Sequence, residues 1–95
     1  DFVELVDGIE VDLQGKRILK NGKEIQLKRQ EAALFFFLLD NRNRVFSRAE
    51  LLDRVWGYDY CGDTRTVDVH IRRIRAKLDC PDIIETVFGI GYVMR

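Results

Sequence analysis

Residues 65–78 read RTVDVHIRRIRAKL, and their large apolar members Val67, Ile71, Ile74 and Leu78 recur at intervals of four, three and four. Only a helix brings such positions to one side. Counted at 100° per residue from Thr66, they fall within about 80–140°, a narrow stripe that needs a core to cover it. Val69 and Ala76 lie diametrically opposite. Arg73, Thr66, Lys77 and His70 occupy one shoulder, and Arg72 and Arg65 the other. The segment holds five Lys or Arg against a single acid, Asp68, in a chain whose formal net charge is zero.

Two readings of this outward face stand side by side. A basic helix face often does no more than meet solvent, and single exposed valines are ordinary. A helix lying in the major groove of DNA would nevertheless use the same set. The thymine methyl is an apolar feature of that groove, arginine bonds a guanine edge with two donors, and shorter side chains serve phosphates. Valine is a poorer helix former than alanine or glutamate, so Val69 at the centre of a basic rim favours contact over solvation.

The remainder supplies what the stripe must pack on. Residues 2–6, 9–13, 17–20 and 23–27 alternate or cluster apolar side chains, with Gly8, Gly15 and Asn21-Gly22 between them. They are expected to form a four-stranded antiparallel meander. Asn21-Gly22 suits the two-residue type I′ hairpin, which needs positive φ twice. Residues 30–40 lack Gly and Pro and predict a first helix, with Ala32, Leu34, Phe35, Leu38 and Leu39 inward. Phe36 and Phe37 fall partly outside that stripe, either covered by the small domain or open as a contact face. Ser47-Arg-Ala-Glu50 is a capping box that starts a second helix, which buries Leu51, Leu52, Val55 and Trp56 and ends at Gly57. Residues 57–63 form a loop, Asp63 or Thr64 caps the third helix, and Pro81 keeps that helix from continuing. Residues 83–87 and 92–94 are strand-like around Phe88-Gly-Ile-Gly91, so the chain closes in a hairpin, and residues 44–46 offer a strand edge. The Gly-x-Gly there lacks the third glycine and following helix of a dinucleotide loop.

Helix, loop, helix and two-stranded ribbon make a winged helix-turn-helix. The expected class is therefore α+β, with an N-terminal four-stranded antiparallel sheet, three helices and a C-terminal β-hairpin wing. The 95 residues, 46% hydrophobic and 11% aromatic, suit one domain over 1–95, divided into sheet (1–27), three-helix core (28–78) and wing (79–95). The longest apolar run, residues 32–39, is far short of a membrane span of about 20 residues. Cys61 and Cys80 form no C-x-x-C pair, so neither a metal site nor a disulfide framework is expected, and a reduced, cytoplasmic chain is. No cofactor is implied. One histidine and no nucleophile elbow, metal cluster or paired carboxylates leave catalysis without residues, so no enzyme is expected.

Further candidates flank the third helix. The Trp56 indole N–H could reach a phosphate or be buried in the core. Arg48 opposes the dipole of its own helix unless an anion lies near. The Thr86 and Tyr92 hydroxyls flank the wing turn.

The run SRAELLDRVWGYDYCGDTRTVDVHIRRIRAKL followed by IETVFGIGYVMR resembles the C-terminal effector domain of OmpR/PhoB-type response regulators, across essentially the whole chain. The resemblance implies the sequence-specific output half of a two-component system that controls transcription. It implies Val69 and Arg73 at bases of double-stranded DNA. Arg48, Trp56, Arg65, Thr66, His70, Arg72, Lys77, Thr86 and Tyr92 are then expected at the backbone or groove edge. The loop of Gly57, Tyr58, Asp59, Tyr60, Cys61 and Gly62 would contact RNA polymerase or a second protomer. Head-to-tail pairing on direct repeats and control by a receiver domain of the parent protein follow from the same likeness. Many relatives carry Arg where this chain has Phe88, and Thr or Ser where it has Lys28. An interaction module that binds a protein through residues 57–63 or Phe36 and Phe37, without reading DNA, is the competing function.

Overall fold

The computed structural model describes residues 2–95, and Asp1 lies outside them. Strands β1 (Phe2–Glu4), β2 (Ile9–Asp12), β3 (Arg17–Lys20) and β4 (Lys23–Ile25) pair consecutively and antiparallel in the order β1-β2-β3-β4. Register aligns Val3 with Val11, Val11 with Ile18, and Ile18 with Ile25. Because side chains alternate across a sheet, this row of β-branched residues shares one face, and Ile9, Val11 and Ile18 are buried. Asn21 and Gly22, at φ 52° and 84°, form the expected tight hairpin.

Helix α1 (Arg29–Asp40) starts with half of a capping box. The Lys28 N–H donates to Glu31 Oε1 at 2.9 Å, but an ammonium has no lone pair with which to return the bond. Leu34, Phe35, Leu38 and Leu39 are buried as the stripe predicts. Phe36 and Phe37 do not form an open face. Phe36 is buried edge-to-face on Phe35 with the Lys16 ammonium 4.8 Å from its ring, and Phe37 lies 4.9 Å from Phe46.

The short strand β5 (Phe46–Ser47) leads into α2 (Arg48–Leu51), where both halves of the capping box form. Glu50 N–H donates to Ser47 Oγ at 3.1 Å and Ser47 N–H to Glu50 Oε1 at 2.8 Å. Over Leu52–Trp56 the helix widens to π geometry, closed by Gly57 N–H on the Leu52 carbonyl at 3.1 Å. Gly57 then takes φ 102°, which a side chain would resist.

Helix α3 spans Arg65–Leu78. Asp63, rather than Thr64, caps it, accepting Arg65 N–H at 2.9 Å. At its far end Asp79 takes the left-handed conformation, and the Asp79 and Cys80 N–H groups return to the Ala76 and Arg75 carbonyls. These two bonds are a Schellman closure, which stops the helix before Pro81. Val67, Ile71, Ile74 and Leu78 are fully buried. A second sheet, ordered β5-β7-β6, consists of β5, β6 (Glu85–Val87) and β7 (Gly91–Val93). Phe46 faces Tyr92 across it, and a Cβ at Gly91 would overlap the Phe46 carbonyl. Glycine alone permits that approach, which fixes the hairpin to the helical core.

Candidate nucleic-acid interface

Helix α3 is secured on three sides. The apolar stripe faces the core. On the flank carrying His70 and Lys77, His70 Nδ1 lies 2.8 Å from the Thr66 carbonyl, and its ring meets Trp56 edge-on at 4.9 Å. Lys77 Nζ sits 2.6 Å from Oε1 of Glu31, which is 1% exposed. On the other flank Asp68 is shared. Arg48 Nη1 donates to its Oδ2 at 2.8 Å, and the Tyr92 hydroxyl donates to its Oδ1. Burial and the Asp68 carboxylate push the Tyr92 phenol up to about 12. Two turns on, Arg75 Nη2 donates to the Ile84 carbonyl at 2.7 Å and to Thr86 Oγ1 at 2.8 Å. These bonds tie the hairpin to the helix.

What remains outward is a ridge. Arg72 and Arg73 are exposed and make no hydrogen bond or ion pair among the described residues, while Val69 stays half-buried between the flanks. Ala76 continues the ridge. Arg65 extends it at the N-terminal end, but its guanidinium is held by Asp63 at 2.9 Å. Arg65 thereby lowers the Asp63 carboxyl and is itself raised.

The residues expected at DNA therefore fall into groups. Val69, Arg72, Arg73 and Arg65 lie on the outward ridge, with Thr66 at its shoulder. Lys77 does not join them, because its ammonium neutralises a buried carboxylate on α1. Tyr92 has its hydroxyl proton on Asp68, so it cannot donate to a phosphate without breaking that bond, and Arg48 is paired to the same carboxylate. Thr86 accepts from Arg75, which leaves its own proton available. Trp56 is half-buried between His70, which meets it edge-on, and Tyr60, whose tilted ring is centred 6.3 Å away. In the loop from Gly57 to Gly62, Tyr58 is 87% exposed and Tyr60 folds back over the tryptophan.

Asp68 and Arg75 were not singled out from sequence, although both left a trace. Asp68 is the only acid in the basic run, and Arg75 stands next to it on the wheel, facing away from the ridge. Between hairpin and helix runs a groove of about 270 Å³ lined by Arg48, Asp68, Thr86, Phe88, Ile90 and Tyr92. Among the described residues there is no cluster of three or more His, Cys, Asp or Glu able to hold a metal, and no helix is long and apolar enough to cross a membrane.

A family model described as "Transcriptional regulatory protein, C terminal" matches residues 22–94. The transcriptional regulatory protein PrrA of Mycobacterium tuberculosis is 42% identical over 93 residues, covering 95% of this chain and 40% of PrrA. The chain thus spans about two-fifths of the length of the curated relatives it matches. Among solved structures, the Thermotoga maritima response regulator DrrB, an OmpR/PhoB homolog, superposes with a TM-score of 0.84 at 31% identity, over 98% of this chain and 43% of that one. The Klebsiella pneumoniae RstA DNA-binding domain, in complex with the RstA box, superposes with a TM-score of 0.81 at 26% identity, over 99% and 96% of the two chains.

Proposed function

Because this chain belongs to the non-enzymatic family of C-terminal DNA-binding domains of OmpR/PhoB-type response regulators, we propose that residues 1–95 act as one unit that reads double-stranded DNA through α3. The observation that carries this reading is the ridge of Val69, Arg72 and Arg73. Two guanidinium groups without a partner among the described residues flank an apolar point, on a helix held on its other sides. An unpaired guanidinium supplies a planar pair of donors to a guanine edge, and valine meets a thymine methyl. Arg73 and Val69 take the base contacts. Arg72, Arg65, Thr66 and the Thr86 hydroxyl take phosphates or the groove edge, with Arg48 joining them when a phosphate displaces Asp68. His70 and Trp56 brace the helix start.

Two such domains bind head to tail on direct repeats, with half-sites about one turn of DNA apart, roughly 10 bp. A receiver domain in the parent protein raises the effective concentration of the second domain once the first is seated. The loop from Gly57 to Gly62 presents Tyr58 to RNA polymerase or the neighbouring protomer, and the protein works in the cytoplasm. The test is selection from random duplexes with the 95-residue chain. Enrichment of a repeated element about 10 bp apart, with Arg73→Ala relaxing the preference at one base position, is expected. Recovery of no common sequence would overturn base reading.

A further inference from the structure

The wing tip is the most exposed apolar feature of the molecule. Phe88 is 90% exposed and Ile90 62% exposed, on either side of Gly89. Scattered single apolar residues at a surface need no explanation, but two at one hairpin tip on a fixed ribbon do. The tip is rigidly built. Ile90 N–H returns to the Val87 carbonyl at 2.9 Å, Gly89 takes φ 77°, Gly91 is pressed on Phe46, and Arg75 anchors the strand base through Ile84 and Thr86. Nor does the tip stand apart from the ridge. Phe88 and Ile90 line the same groove as Arg48 and Asp68, so wing and α3 form one continuous surface.

Residues 86–92, TVFGIGY, hold no charged side chain. This hairpin cannot grip phosphates electrostatically, and it has no cation to place in the negative potential of a narrow minor groove. It can offer a flat ring and a branched aliphatic group on a stiff support. Apolar side chains of this kind enter the minor groove as wedges, partly unstack one base step and bend the duplex toward the major groove.

We infer that Phe88, backed by Ile90, is a minor-groove wedge that inserts at a flexible base step beside the α3 half-site and bends the DNA. The inference rests on the DNA-binding reading above. It adds specificity at a position where no base edge is hydrogen-bonded, because pyrimidine–purine steps unstack most easily. A second copy of this chain is the other occupant such a patch could take. The absence of any charged side chain from residues 86–92 to fix a protein register, and the patch's continuity with the basic ridge, favour the duplex.

The test uses the 95-residue chain and a selected single-half-site duplex carrying a fluorophore at each end, with energy transfer reporting the bend and titration reporting affinity. The wild type should bend the duplex by at least about 20°. Phe88→Ala should abolish the bend and weaken binding on the order of tenfold, the loss of one aromatic–base stack, with an unchanged salt dependence because no phosphate contact is removed. Phe88→Leu should keep most of the bend. A straight duplex under the wild type, or an equal bend and affinity under Phe88→Ala, would overturn the wedge while leaving α3 reading intact. Failure of the wild type to prefer the selected duplex would overturn both. If Phe88→Ala left single-half-site binding and shape unchanged but removed cooperativity on a two-half-site duplex, the patch would belong to the neighbouring protomer and the wedge would be wrong.

Discussion

Glu31 is a carboxylate with almost no contact with water, and its Oε2 has no polar partner among the described residues. Burial raises its pKa. The Lys77 hydrogen bond, the Lys28 N–H and the charges of Lys77 and His70 outweigh that effect, and the net displacement is downward from 4.5. A group lowered in the folded state contributes stability fully above its unfolded value and loses it as pH falls through its folded value. Unfolding free energy should therefore decline as the pH is lowered below about 4.5, and Glu31→Gln should flatten that decline. Lys77→Met should cost about 2 kcal/mol at neutral pH, somewhat less than breaking a fully buried pair, because the ammonium is partly exposed. Denaturant titrations between pH 3 and 7 read both effects. Identical pH slopes for wild type and Glu31→Gln would remove this pair from the stability of the fold. Periodicity placed Lys77 on the basic shoulder correctly, but a charge pattern along one helix carries no information about a carboxylate forty-six positions earlier in the chain.

At the level of elements, the parts legible in sequence were those governed by local chemistry. The I′ hairpin at Asn21-Gly22, the Ser47–Glu50 capping box, the Gly57 stop and the buried face of α3 each follow from a few adjacent residues. The π turn over Leu52–Trp56 and the clamps from Arg75 and Lys20 join segments remote in sequence or depend on packing, and no local pattern announces them. Lys20, at the end of β3, donates at 3.0 Å to both the Leu78 and Asp79 carbonyls and pairs with Asp7. A cation at a helix C-terminus satisfies orphan carbonyls and opposes the dipole, so the N-terminal sheet supplies the closing charge of α3. Lys20→Met should destabilise the domain by about 1–3 kcal/mol, as expected for hydrogen bonds from a charged donor. It should also speed amide exchange at Leu78, Asp79 and Cys80 more than at Val67. Lys20→Arg should restore part of both. Uniform acceleration along the helix would mean that the sheet supports the core generally and does not close this end.

Across the whole molecule, zero net charge conceals a separation. Residues 1–27 hold two more acids than bases, and residues 65–78 hold four more bases than acids. Lys20 ties the N-terminal sheet to the C-terminal end of α3, while the bases open to a polyanion lie along the outward side of that helix. How many of the bases count is decided by their partners. Lys77 and Arg75 are consumed internally, by Glu31 and by the hairpin. Arg65–Asp63 is a solvent-exposed pair and Arg48–Asp68 a partly exposed one, both screened by water, so a phosphate can displace them. Arg72 and Arg73 need no release. Three arginines per domain, Arg48, Arg65 and Arg72, should thus exchange counterions at phosphates, giving a slope of log K against log salt near −2.7 on a single half-site. Arg72→Ala should flatten that slope by about one unit, and Lys77→Met should leave it unchanged at temperatures where the variant stays folded. Asp68→Asn should tighten binding without steepening the slope, because it frees Arg48 before the encounter and adds no contact. If Lys77→Met flattened the slope as Arg72→Ala does, the ammonium would reach a phosphate after all, and α3 would have to rotate on the core when it meets DNA.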